Sequence, residues 1–188
     1  MDYTIISLNA TDTIRVEQAA EILVRAFAEH HPEAWPSMND ARTEMRELLE
    51  PQNILRAAVD DDGRVLGFIG SQPAYDNHTW ELHPLAVAPE AQGRGVGAAL
   101  VRDLETLLRD KGVVCIMLGA DDENNQTSLG GIDLYPDVWE HVARVRNLKQ
   151  HPYAFYQKMG YAIVGVLPDA NGFGKPDIYM AKRIGNMP

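Results

Sequence analysis

Three glycines lie close together in one segment of the chain, between a predicted strand and an amphipathic helix. Glycine lets the backbone come close to a ligand, and the first turn of a helix offers unpaired N–H groups at the positive end of its dipole. The segment therefore predicts a cradle for a pyrophosphate group. Its residues are Gln92, Gly93, Arg94, Gly95, Val96, Gly97 and Ala98.

The same glycine loop is compatible with a second phosphate ligand. Gly93, Gly95 and Ala98 satisfy the dinucleotide pattern G-x-G-x-x-A, and acidic residues follow the next predicted strand. That pattern normally lies at the start of its domain, whereas here several strands and helices precede it. A nicotinamide-binding enzyme is therefore the outside alternative. A further alternative is a turn from strand to helix that binds no ligand, but such a turn needs one glycine and not three.

Glu81 is the candidate general base. It lies in an otherwise apolar predicted strand, residues 80–87, one element before the glycine loop. A carboxylate held there could take a proton from a reacting group, directly or through a water. The alternative is an exposed strand residue that alternates with apolar neighbours. His83, two positions on, shares the strand face of Glu81, and we expect it to contact an acceptor or to form a hydrogen bond.

Pro84 interrupts the same predicted strand, because a proline removes one donor from the ladder of a sheet. We expect an irregularity or a sheet edge at that point. The backbone N–H groups of Leu85, Ala86 and Val87 are then the candidates for binding the oxygen of a reacting carbonyl.

Tyr156 is the candidate donor of a proton or a hydrogen bond to a leaving group. It lies in a short predicted helix, residues 152–159. A phenol has an ordinary pKa of about 10, above that of a free thiol. The alternative is packing in the core, since several aromatic residues of this helix recur at helical spacing.

Acidic residues collect in the polar loop that follows the predicted strand at residues 113–118. Asp121, Asp122 and, further along, Asp137 could attract and hold a multiply protonated ligand. The alternative is a solvated polar loop without a ligand.

Strands and helices alternate along the chain, which predicts an α/β class built on one mixed sheet. We expect the run at residues 113–118 to be a strand covered on both faces, and residues 30–39 to form a loop. The predicted strands are residues 3–8, 54–59, 64–70, 80–87, 113–118, 161–167 and 178–181. The predicted helices are residues 16–27, 41–49, 100–111, 138–146 and 152–159.

Length and composition limit the class of protein. The 188 residues fit one domain, which we place over residues 1–188. Seventeen Lys and Arg against 27 Asp and Glu give a net charge of −10, which argues against a nucleic-acid partner. The single cysteine, the absence of a signal-peptide pattern and the lack of a run of about 18 apolar residues predict a cytoplasmic protein with no membrane partner. His30, His31 and Glu33 have no recognised ligand spacing, so no metal site is predicted.

The glycine loop and several longer stretches resemble the GNAT superfamily of N-acetyltransferases, and within it the homodimeric aminoglycoside 6'-N-acetyltransferases. Gln92, Gly95 and Gly97 fit the superfamily motif Gln/Arg-x-x-Gly-x-Gly/Ala, and the order of elements agrees. The likeness covers most of the chain from about residue 64 onward. The stretches are residues 80–85 (WELHPL), 118–122 (LGADD), 133–135 (DLY), 151–161 (HPYAFYQKMGY), 163–172 (IVGVLPDANG) and 175–182 (KPDIYMAK).

The resemblance implies the acyl-CoA N-acyltransferase fold, with a central, mostly antiparallel sheet flanked by helices. It also implies acetyl-CoA as cosubstrate, direct transfer without a covalent enzyme intermediate, and a homodimer. Glu81 matches the proposed base of the family and Tyr156 its general acid. Tyr75 falls where the family places an aromatic residue of the acceptor pocket, and Trp35 is a further candidate for that rim.

The function implied is acetylation of an aminoglycoside, at the 6'-amino group above all, with antibiotic resistance as its result. One alternative keeps acetyl-CoA and changes the acceptor to a polyamine, a small metabolite amine or a protein N-terminus. The alternative of another class is a non-catalytic module that binds coenzyme A or a drug.

Overall fold

The structure is a computed structural model that describes residues 2–29 and 31–185. Five α-helices and seven strands lie within these residues. They form two compact units. The first unit runs to Ile116 and includes Ile184 and Gly185, and the second is Met117–Arg183. His30, considered above as part of a loop and of a histidine cluster, lies outside the described residues.

The first unit has four antiparallel strands in the order β1-β2-β3-β4. Asp60 and Gly63 make the predicted hairpin turn between the second and third strands. The Asp60 carboxylate accepts the backbone N–H of Arg64 at 2.8 Å, and Gly63 takes the left-handed φ of +82° that a tight turn needs. The strands are β1 (Tyr3–Ser7), β2 (Ile54–Asp60), β3 (Val65–Ala74) and β4 (Thr79–Val87).

Three helices pack on these strands: α1 (Thr13–Phe27), α2 (Met38–Leu48) and α3 (Val96–Asp110). The apolar stripe of α3 is buried, which stabilises the fold by about 1.5–3 kcal/mol for each leucine. Arg56 on β2 also holds the Asp103 carboxylate of α3 at 2.7 and 3.0 Å. This bidentate pair fixes α3, whose first turn follows the glycine loop, against the sheet of the first unit.

The second unit contains most of β5 (Cys115–Asp121) and four further elements. In its sheet β7 lies between β5 and β6, and β6 and β7 are antiparallel. The four further elements are α4 (Val138–Ala143), α5 (Tyr153–Lys158), β6 (Ala162–Leu167) and β7 (Asp177–Arg183).

The mixed α/β class and the mostly antiparallel strand pairing are confirmed, with corrections at individual elements. β5 begins at Cys115 and continues to Asp121, and its burial alternates along the strand. The expectation of a strand covered on both faces is therefore wrong. β3 continues past Gly70 to Ala74, because Gln72 and Pro73 keep their pairing with β4. The single domain over residues 1–188 stays a prediction.

In the part of the chain that the structure describes, no helix has both the length and the apolar character required to cross a lipid bilayer.

Candidate active site

β4 carries the predicted base on its less buried face. Trp80 and Leu82 are buried, whereas Glu81 and Leu85 are half-buried and His83 is exposed. Side chains two positions apart in a strand point to the same face. Glu81 and His83 therefore share an accessible face of β4, as the sequence predicted.

Gln72 on β3 holds the Glu81 carboxylate. The two residues are direct partners in the strand register, and Gln72 Nε2 donates a hydrogen bond to Glu81 Oε2 at 3.0 Å. The buried Ser71 donates to the Glu81 carbonyl at 2.7 Å. Glu81 Oε1 has no hydrogen-bond partner among residues 2–29 and 31–185. The hydrogen bond to Oε2 thus orients the Glu81 carboxylate, and Oε1 can accept a proton.

The sheet is irregular at Pro84, as predicted. Between the paired positions Ile69–Leu85 and Ser71–Leu82, β3 advances two residues and β4 advances three. Gly70 lies at this bulge, and a Cβ atom there would collide with the His83 carbonyl and with a Leu48 methyl group at 2.6 Å. A bulge leaves backbone groups outside the regular ladder. The carbonyl-binding role of Leu85, Ala86 and Val87 stays a prediction.

Four side chains of the first unit form a contact set that we call the Trp35 cluster: Phe27, Trp35, Glu44 and His83. Trp35 packs edge-on against Phe27 at a centroid distance of 4.7 Å and lies 5.7 Å from the His83 ring. The Glu44 carboxylate accepts the Trp35 indole N–H at 3.3 Å and lies 3.8 Å from His83 Nε2. An aromatic face beside a carboxylate suits a cationic ligand.

Tyr75 stands at the turn between β3 and β4. Its side chain is 73% exposed, and its φ of +46° lies in the left-handed region that tyrosine rarely adopts. Asp76 and Asn77 share this conformation. The hairpin thus holds an accessible aromatic ring in a defined turn, which is compatible with the predicted contact to an acceptor.

The glycine loop has the geometry of an anion cradle. Gly93 and Gly95 have φ values of +71° and +84°, and a Cβ atom at either position would meet nothing within 4 Å. The backbone therefore needs glycine for its conformation and leaves open space for a ligand. Gln92 anchors the loop, since its Nε2 donates to the Val87 carbonyl at 3.2 Å.

The start of α3 supplies the donors of this cradle. Gly95 is the N-cap, no side chain caps the helix, and the first helical hydrogen bond runs from Ala99 N–H to Gly95 O at 3.0 Å. The N–H groups of Val96, Gly97 and Ala98 precede that bond and lie at the positive end of the dipole of α3. These residues fit a pyrophosphate group.

Tyr156 lies in α5 of the second unit and is 8% exposed. Its ring meets Phe155 and Tyr161 edge-on at 5.0 and 5.7 Å. Burial raises the pKa of the Tyr156 phenol well above its ordinary value. The phenol therefore keeps its proton over the whole physiological range.

Two neighbouring acids of the second unit have different environments. Asp122 is fully buried, and its carboxylate accepts the backbone N–H groups of Gln126 and Thr127 at 2.6 and 2.8 Å. The expectation that Asp122 binds substrate is therefore wrong, because its oxygens already hold the loop together. Asp121 is half-buried and accepts the Asn171 amide at 2.5 Å, and Asp137 is exposed.

Gln72 and Glu44 are site residues that sequence reasoning missed. Each is a common polar residue in a strand or on an amphipathic helix, and no local pattern distinguishes it. Gln72 contacts Glu81 across the β3–β4 hairpin, and Glu44 contacts His83 from a distant helix, so both contacts depend on the strand register and the packing of the fold.

Solved structures similar to this chain include aminoglycoside 6'-N-acetyltransferases. One, from Enterococcus faecium, is 39% identical with a TM-score of 0.87, and the match covers 98% of this chain and 99% of that chain. Another, complexed with coenzyme A, is 38% identical with a TM-score of 0.89 and the same coverage.

Curated relatives include mycothiol acetyltransferases, which match a shorter region. Those from Stackebrandtia nassauensis and Pseudarthrobacter chlorophenolicus are 36% and 40% identical over 107 and 105 residues, or 55% and 53% of this chain. The matches cover 35% and 32% of those proteins, so the chain spans about a third of their length.

The sequence profile of the Acetyltransferase (GNAT) family matches residues 16–135, which include α3, the glycine loop and β4. This match extends over more than half of the chain. The chain belongs to the Acetyltransferase (GNAT) family.

Proposed function

We propose that the chain transfers the acetyl group of acetyl-CoA directly to the 6'-amino group of an aminoglycoside. The observation that carries the proposal is the similarity over 98% of the chain to two aminoglycoside 6'-N-acetyltransferases, at 38% and 39% identity. The matches to mycothiol acetyltransferases extend over little more than half of the chain. A homodimer and a role in aminoglycoside resistance belong to the same proposal.

Acetyl-CoA is the acetyl donor, and it supplies a thioester that an amine can attack. The backbone N–H groups at the start of α3 receive its pyrophosphate, with Gly93 and Gly95 providing the open, left-handed backbone. Arg94 adds a positive charge within the glycine loop. Substitutions other than proline leave the backbone donors in place, so the test of this step is the glycine conformation itself.

Glu81 accepts the proton of the reacting amine. An aminoglycoside amine is protonated near neutral pH and becomes a nucleophile only when that proton leaves. Glu81 Oε1 takes it, directly or through a water, while Gln72 holds Oε2. The backbone N–H groups of Leu85 to Val87 bind the carbonyl oxygen as negative charge develops on it.

Tyr156 stabilises the departing sulfur by a hydrogen bond. A thiol has an ordinary pKa of about 8.5, and burial raises the pKa of Tyr156 above that of a free phenol. Full proton transfer from this phenol to the thiolate is therefore uphill. Tyr156, which matches the general acid of the family, therefore acts as a hydrogen-bond donor that keeps its proton.

Charge and aromatic surface support a polycationic acceptor. The net charge of −10 attracts a multiply protonated ligand. On the first unit, Tyr75 and the Trp35 cluster offer rings beside a carboxylate. On the second unit, Asp121 and Asp137 offer accessible carboxylates, and Asp122 is not part of the proposed set.

A second candidate acceptor is a metabolite amine, favoured by the similarity to mycothiol acetyltransferases. A free-thiol release assay with acetyl-CoA separates the candidates when tobramycin and kanamycin are compared with spermidine and with the acceptor of mycothiol acetyltransferase. The proposal predicts the highest kcat/KM for the aminoglycosides. A higher kcat/KM for either of the other acceptors contradicts it.

A further inference from the structure

His151 connects two segments of the second unit through its ring. The side chain is 1% exposed. Its Nε2 lies 3.0 Å from the carbonyl oxygen of Asp121 at the end of β5, and its Nδ1 lies 3.2 Å from the backbone nitrogen of Tyr153 at the start of α5. One imidazole therefore joins the last residue of a strand to the first residue of the helix that carries Tyr156.

The two partners fix the tautomer of this imidazole. A backbone N–H can only donate, so Nδ1 must be the unprotonated acceptor for Tyr153. A backbone carbonyl can only accept, so Nε2 must carry the proton that it donates to Asp121. His151 is thus neutral and protonated on Nε2, and a proton added to Nδ1 would remove the bond to α5.

The backbone of His151 is held as firmly as its ring. Asn147 Oδ1 accepts the His151 N–H at 2.8 Å, and Asn147 Nδ2 donates to the His151 carbonyl at 2.7 Å. Gln126 in turn accepts the N–H groups of Leu148 and Lys149 at 2.8 and 3.0 Å. These contacts fix the backbone from which the imidazole extends between Asp121 and α5.

The start of α5 determines where the Tyr156 phenol lies. The Tyr156 N–H bonds to the Pro152 carbonyl at 3.3 Å, within one turn of His151. α5 has only six residues, so a displacement of its first residue also displaces Tyr156. A displacement of about 1 Å at a reacting group can cost on the order of 100-fold in rate.

We propose that His151 is a positioning residue for acetyl transfer: it ties α5 to the Asp121 carbonyl and thereby places the Tyr156 phenol. The inference rests on the role of Tyr156 given under the proposed function. His151 itself touches neither reactant, and it exchanges no proton in the reaction.

Two substitutions at His151 separate its links. In His151→Asn the side-chain oxygen can still accept the Tyr153 N–H, but the donor to Asp121 is lost. In His151→Gln the amide reaches the position of Nε2 and keeps that donor, but the acceptor for the Tyr153 N–H is lost. Because the connection from Asp121 to α5 needs both links, we expect kcat to fall on the order of 100-fold in each variant, with the KM for acetyl-CoA unchanged. A wild-type kcat in either variant overturns the inference.

A double-mutant cycle with Tyr156→Phe tests whether His151 acts through the phenol. If it does, His151→Asn lowers kcat in the wild-type background and causes no further loss in Tyr156→Phe. Losses that multiply in the double variant overturn the inference. A wild-type rate in Tyr156→Phe alone contradicts the proposed role of Tyr156 instead, so the two failures are distinguishable.

The wild-type chain provides a measurement that does not depend on variants folding. Nitrogen chemical shifts of the imidazoles, with His151 assigned by comparison with His151→Gln or by sequential assignment, report the tautomer directly. We expect a neutral ring protonated on Nε2 at neutral pH. A ring protonated on Nδ1, or a charged ring, overturns the inference.

Discussion

Gln72 and Glu81 face each other across β3 and β4, and Gln72 Nε2 donates to Glu81 Oε2 at 3.0 Å. The amide fixes the plane of the carboxylate and leaves Oε1 available. Glu81 is half-buried on the accessible face of β4, and this pair orients the carboxylate that we propose as the base.

Glu81→Gln should abolish the base while keeping the shape of the side chain. We expect kcat to fall by about 100- to 10,000-fold, with the KM for acetyl-CoA unchanged, because the amide cannot accept the proton. Steady-state kinetics with tobramycin measures both constants. Glu47→Gln on the exposed face of α2 is the matched control and should keep the wild-type rate. Normal turnover in Glu81→Gln removes the residue from the base role.

Gln72→Leu should lower kcat less than Glu81→Gln does. The variant loses one hydrogen bond to a carboxylate, and an effect of up to about tenfold is expected from imperfect orientation of the base. The control is Gln52→Leu, at an exposed glutamine in the turn before β2. The orienting role is contradicted when both variants have the same kcat as the wild type.

Gly95→Ala should weaken the binding of acetyl-CoA. The left-handed conformation at φ +84° costs alanine about 1–2 kcal/mol, although the added methyl group meets no atom. The backbone is expected to relax, which moves the N–H groups at the start of α3. Isothermal titration with acetyl-CoA measures the loss of affinity.

Gly165→Ala is the control for that substitution. Gly165 lies in β6, it has no left-handed φ, and its added methyl group also meets nothing within 4 Å. Equal affinity for acetyl-CoA in Gly95→Ala, Gly165→Ala and the wild type would argue against the loop as the pyrophosphate site.

The pH dependence of stability should change in Tyr156→Phe. The folded chain keeps the phenol proton to a higher pH than the unfolded chain does, because burial raises the pKa of Tyr156. The wild type therefore loses stability as the pH rises above about 10, by up to about 1.4 kcal/mol per pH unit from this group. Urea unfolding at increasing pH should show a smaller loss in Tyr156→Phe.

Tyr135→Phe, at a tyrosine that is 57% exposed, is the control for this series. An identical slope of unfolding free energy against pH in Tyr156→Phe and the wild type would show that the buried phenol does not carry the effect.

Asp122→Asn and Asp137→Asn should affect different properties. Asp122 accepts three hydrogen bonds inside the protein, so its replacement should lower the free energy of unfolding by about 3 kcal/mol or more. Asp137 is exposed, and its replacement should leave Tm unchanged and raise the KM for the aminoglycoside. A stable Asp122→Asn variant with a raised acceptor KM would contradict this assignment.

The sequence predicted the elements because their signals are local. The apolar stripe of α3, the turn at Gly63 and the glycines at positions 93 and 95 each encode their structure within a few residues. Strand register and the packing of a helix on a sheet carry no such local signal, which is why Gln72 and Glu44 were missed.

The burial of individual acidic side chains could not be predicted from the sequence either. Asp121 and Asp122 are adjacent acids at the end of β5 and in the loop after it, yet Asp121 is half-buried and Asp122 is fully buried. Composition alone cannot separate them. His151 was recognised only as part of a longer motif, since its partner Asp121 lies on a distant strand and is brought to it by the fold.

The central claim is acetyl transfer from acetyl-CoA to the 6'-nitrogen of an aminoglycoside. The most direct test incubates the wild-type chain with tobramycin and isotopically labelled acetyl-CoA and then locates the label by NMR of the product. We predict one labelled acetyl group on the 6'-nitrogen. Label on another nitrogen, or no labelled product, would contradict the account.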